Sequence, residues 1–119
     1  MRKIFFCIIF FCLSVFAEEQ LFLPYTEDVP LMADIKITSE DDGMLFDTPM
    51  GQVLQVTGES MRPISEVADY YEKVLPSFGW QQTKGLLFVR QQDTLLLELK
   101  PYQEKTLIWF ELQTQNDKD

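Results

Sequence analysis

Apolar residues in this chain follow several spacings in turn, and each spacing predicts a different kind of element. Residues 4–16 form an almost unbroken apolar run, interrupted only by Ser14. Residues 18–32 hold Pro24 and Pro30 and keep no steady period, which predicts an extended lead-in. In residues 34–38 the apolar positions alternate, so Ile35 and Ile37 share one side of a short strand. "SEDDG" (39–43) reads as a turn whose side chains bond their own backbone, with Gly43 free to take a positive φ. Residues 44–47 and 52–57 predict a hairpin about Thr48-Pro49-Met50-Gly51. Proline and glycine there stand at the second and fourth places of a type I turn.

The spacing then turns helical. Ile64, Val67, Ala68, Tyr71, Val74 and Leu75 form an apolar stripe that Phe78 extends. Pro63 suits the first turn, and Glu66 suits its positive dipole end. Pro76 would remove an interior hydrogen bond, so the regular helix should stop near Leu75 and Gly79 should close it. Four strand-like runs follow. Residues 80–83 and 86–89 are joined by Lys84-Gly85, a hairpin loop. Residues 94–100 place Leu95, Leu97 and Leu99 together, and residues 106–114 do the same for Ile108, Phe110 and Leu112. The predicted class is α+β: an antiparallel sheet, made of a ββ hairpin, one helix and a β-meander, with the helix packed on one face.

The apolar run of residues 4–16 is about thirteen residues long, short of the roughly 20 needed to span a bilayer. Arg2 and Lys3 precede it and Ala17 follows it, the layout of a secretory signal cut between Ala17 and Glu18. The competing expectation is an uncleaved N-terminal anchor. Cys7 and Cys12 follow bulky residues, not the small ones that precede a lipid-modified cysteine, and read as small hydrophobes of the run. The expected organisation is a signal at 1–17, an extended segment at 18–32, an α+β domain at 33–114 and a disordered tail at 115–119. Export to the periplasm is the expected destination, with the extracellular medium the other one.

Removing 17 of the 119 residues leaves 102, enough for one domain. It also removes both cysteines and two bases, taking the formal charge from −9 to −11. Such a balance disfavours nucleic acid and anionic membrane surfaces, which bind through lysine and arginine. Its ordinary role is solubility.

The stretches "LFDTPMGQV" and "VADYYEKVLPSFGW" resemble a group of small, uncharacterised exported bacterial proteins. Those carry an FD-S/T-P-x-G turn followed by a helix of the FYxxxLPxxGW type. Gln52 stands where that pattern has a basic residue. The resemblance implies a small exported α+β domain and no particular activity.

Candidate chemistry is sparse. The chain has no histidine, no serine in a G-x-S-x-G elbow and no glycine-rich phosphate loop. "EDDG" lacks the D-x-D-x-D-G register of a calcium loop. No catalytic, cofactor-binding or metal residue is assigned, and no enzyme is expected. Asp47 is expected to cap its own turn, and Trp80 to pack where helix meets sheet. One feature asks for an explanation. If Ile108 and Phe110 face the helix, then Leu87, Val89, Leu96, Leu107 and Trp109 form an apolar patch on the opposite face. Three covers are expected. The lead-in with Phe22, Leu23, Tyr25 and Leu31 is one, a second subunit or another envelope protein the next, and a small apolar ligand the third. The function expected is therefore an exported, acidic, non-catalytic protein-interaction domain of the cell envelope. The competing function is a small-ligand carrier with a helix–sheet pocket about Tyr70, Trp80 and Trp109.

Overall fold

The computed structural model describes residues 20–115. The expected signal and its Ala17–Glu18 junction lie outside the described residues, as do positions 116–119 of the expected tail. The chain is α+β, with an antiparallel sheet and one helix packed against it. Two short strands, β1 (Leu21–Phe22) and β2 (Pro30–Leu31), pair with each other. β3 (Lys36–Ile37), β4 (Met44–Thr48) and β5 (Gly51–Ser60) follow, then helix α1 (Ile64–Val74). β6 (Gln81–Gln82), β7 (Leu87–Arg90), β8 (Asp93–Tyr102) and β9 (Lys105–Gln115) complete the order.

The larger sheet runs β3-β5-β9-β8-β7-β6, with β4 also on the outer side of β5. β9 thus lies beside β5, in register from Gly51↔Gln115 to Ser60↔Thr106. Helix α1 carries the chain from β5 to the far edge, and the meander β6–β9 returns to close the gap. β3 and β4 make one broken outer edge, interrupted by a 3-10 turn at Glu40–Asp42. An acidic bulge of this kind blunts an edge that would otherwise template pairing.

α1 begins where the Pro63 carbonyl accepts the N–H groups of Glu66 (3.0 Å) and Val67 (3.2 Å). Pro63 is therefore the capping residue and stands just before the first turn. Regular helix stops at Val74 because Pro76 cannot donate, and Leu75–Phe78 tightens into a 3-10 turn. Gly79, at φ 92°, closes it: its N–H meets the Pro76 carbonyl and the Trp80 N–H reaches the Leu75 carbonyl. That pair of bonds is a Schellman closure.

Val67, Tyr71 and Leu75, four residues apart, are the buried side of the helix. Tyr71 meets the Phe110 ring edge-on, with centroids 5.9 Å apart. Its hydroxyl donates to the Pro30 carbonyl (2.9 Å) and accepts the Met32 N–H (3.2 Å). Burial pushes this phenol far above its ordinary range. Leu23, Val29, Leu31 and Met32 join the same core as Leu54, Phe88, Leu95 and Phe110. The lead-in is therefore part of the domain, and it packs beside the helix. Each such side chain taken from water contributes about 1.5–3 kcal/mol.

Trp80, 1% exposed, fills the junction of helix and sheet. Its Nε1–H donates to the Asp28 carbonyl (3.0 Å), and the Arg90 guanidinium lies 4.6 Å from its ring centroid. Arg90 also donates to the Phe78 carbonyl and pairs with Asp28 at 3.2 Å, tying lead-in, helix end and β7 together.

Candidate functional site

Directly opposed residues of an antiparallel pair point to the same side, so the register divides the sheet into two faces. Phe88, Leu95, Leu97, Ile108, Phe110 and Leu112 point at α1 and are buried. Their neighbours in sequence point the other way. The pairs Leu87↔Leu96, Val89↔Thr94, Glu98↔Trp109 and Lys100↔Leu107 put all five patch residues on the face opposite the helix. All five are partly exposed.

The cover expected from the lead-in is not there. Residues 20–32 lie on the helix side, because Tyr71 hydrogen-bonds both Pro30 and Met32 and because Leu23 and Leu31 enter the core. Phe22 stacks edge-on against Phe78, also on that side. Tyr25 stays 59% exposed, its hydroxyl donating to the Asp41 carbonyl at the sheet's rim. Among the described residues, neither helix nor lead-in packs on the second face.

Register adds residues that the sequence pattern did not single out. Met44↔Gln55 and Phe46↔Val53 extend the patch to the opposite edge, with Met44 57% and Phe46 39% exposed. "MLFDT" is apolar at consecutive positions, so alternation alone could not say which of its residues belonged here. Leu45, opposite Leu54, points to the helix side.

Trp109 is the ridge of the open face. It separates two hollows of about 360 and 430 Å³ and lines both, as does Thr57. Glu40, Gly43 and Met44 border the first, Glu98, Lys100 and Leu107 the second. Charge along the strands of this face is balanced. Lys36, Lys100 and Lys105 offset Glu59, Glu98 and Glu111 among its strand residues, and the surplus acid is confined to Glu40 and Asp41 at the border of the first hollow. Lys105 pairs with Glu59 at 3.2 Å. The Glu111 carboxylate accepts from the Gln113 amide (2.9 Å) and the Gln55 amide (3.4 Å).

Elsewhere the polar chemistry is occupied by structure. Tyr70, Trp80 and Trp109 do not line one cavity: Trp80 is in the core, Trp109 is on the open face, and Tyr70 lines a groove along α1. Charges of that groove are paired as Arg62–Glu66 and Lys73–Asp69, both at 3.2 Å. In the hairpin turn Thr48, not Asp47, is the cap: its Oγ1 accepts the N–H groups of Met50 and Gly51. A threonine hydroxyl sits nearer those donors than the preceding carboxylate, and Asp47 accepts from Gln52 across the strands instead. Among the described residues, no cluster of three or more acids could hold a metal ion, and no helix is long and apolar enough to cross a membrane.

No family model, curated protein or solved structure matches the chain.

Proposed function

We propose that this is an exported, acidic, non-catalytic interaction domain of the bacterial cell envelope, working in the periplasm and binding protein through the open face of its sheet. The observation that carries the reading is the division of labour between the two faces. Helix and lead-in share one side, and Trp109, Leu107, Leu96 and Leu87 are left toward solvent on the other. An apolar ridge between hollows, ringed by charges, has the anatomy of a protein contact surface, where a buried aromatic anchor dominates and a polar rim excludes water. Catalysis finds little support, since the chain lacks histidine and its only cysteines fall at positions 7 and 12, inside the apolar leader.

Trp109→Asp tests the reading. In extracts of the host the wild-type chain should elute in a complex, and the variant as a free monomer with an unchanged urea midpoint. A sharp fall in the variant's stability, with no change in elution, would mean that Trp109 serves the fold instead. Export is tested separately by intact mass: the protein should begin at Glu18.

A further inference from the structure

We infer that the partner on the open face is a second copy of this chain, packed face to face about a two-fold axis running along β9. This rests on the interaction reading above and names its occupant. β9 is the middle of the five strands β4-β5-β9-β8-β7. A two-fold axis along it lays β5 of one copy over β8 of the other, and β4 over β7.

Reading across the register then gives the contacts. Met44 and Phe46 sit at the same levels as Leu87 and Val89, so each meets its counterpart's apolar residue. Glu59 and Lys100 share the level of Leu107, so each copy's carboxylate faces the other's ammonium, twice over. Trp109 meets Trp109, and Leu107 meets Leu107. An axis across the strands does the opposite, stacking Leu96 on Lys100 and Leu107 on Glu111. Facing sheets cross at about 30°, which shifts these correspondences by less than one register step near the axis.

Size is sufficient. Strands of 5, 10, 11, 10 and 4 residues, about 4.8 Å apart and rising about 3.4 Å per residue, outline roughly 650 Å² per copy and about 1,300 Å² in total, above the roughly 1,000 Å² of a specific interface. The strand charges of this face balance, which limits repulsion between two acidic copies to the Glu40–Asp41 border of the first hollow and to Glu111 against Glu111 on the axis.

The test is sedimentation equilibrium on protein purified from cells expressing the full-length chain. The wild type should dimerise. Glu59→Lys and Lys100→Glu should each weaken self-association by about tenfold or more, and an equimolar mixture of the two should recover it as a heterodimer. Glu111→Gln, which removes the repulsion and keeps the shape, should tighten the dimer. A wild type that stays monomeric at its highest soluble concentration overturns the inference, as does a mixture that fails to associate while both variants keep the wild-type circular dichroism. A monomer whose Trp109 still joins a different protein in host extracts sinks the two-copy inference alone. A monomer that joins nothing sinks the interaction reading with it.

Discussion

Tyr71 shows how much one side chain can organise. Its hydroxyl joins α1 to the lead-in through both Pro30 and Met32, and its ring also closes the core over Phe110. Tyr71→Phe keeps the ring and strands a buried carbonyl and N–H, which should cost about 1–3 kcal/mol at neutral pH, measured by urea unfolding. The same residue sets a pH dependence. Its phenol is raised by burial above its ordinary value of 10.0, so the folded chain keeps a proton that the unfolded chain loses near that pH. Stability from this source is complete below pH 10 and declines above it. The Tyr71→Phe variant should therefore close part of its gap to wild type between pH 9 and about pH 11. Gly51 makes a second residue-scale case. At φ 152° its missing β-carbon leaves room for the Thr114 carbonyl, and a methyl there would collide with it. Gly51→Ala should cost about 2–4 kcal/mol in thermal or urea unfolding, more than an ordinary strand glycine. The hairpin containing Gly51 was legible from proline and glycine spacing. Its packing against β9 was not, because that contact joins residues far apart in sequence.

Among the elements, α1 and its closure were readable nearly residue by residue, since a 3.6-residue stripe ending in Pro76 and Gly79 leaves few other solutions. The strands of residues 94–100 and 106–114 were readable for the same local reason, an apolar-polar alternation. Their order was not. Nothing in the alternation of β9 says that it pairs with β5 as well as with β8, a choice made by which faces must be buried together. The lead-in was the least legible element. β1 and β2 are two residues each, too short for any period, and the lead-in is held by Tyr71 and Trp80 reaching over to Pro30 and Asp28. Its place in the core has a measurable consequence. Leu23→Ala should destabilise the protein by about 2–5 kcal/mol, as a core leucine does, where an appended arm would lose almost nothing.

At the scale of the whole molecule, the two faces of the sheet are unequal. One face of the sheet carries the helix and the lead-in, and the other shows Trp109 between two hollows. Sequence alternation exposed five of the seven apolar residues of this patch, Leu87, Val89, Leu96, Leu107 and Trp109. Met44 and Phe46 needed the register of β4 on β5. The measurement closest to the central claim is site-specific photocrosslinking in intact host cells. A probe should be placed at position 109 and, as a control, at the more accessible Met50, which is 66% exposed in the hairpin turn. One defined adduct is expected from position 109 and none from position 50. No adduct from 109, or the same adducts from both positions, would contradict binding through the open face.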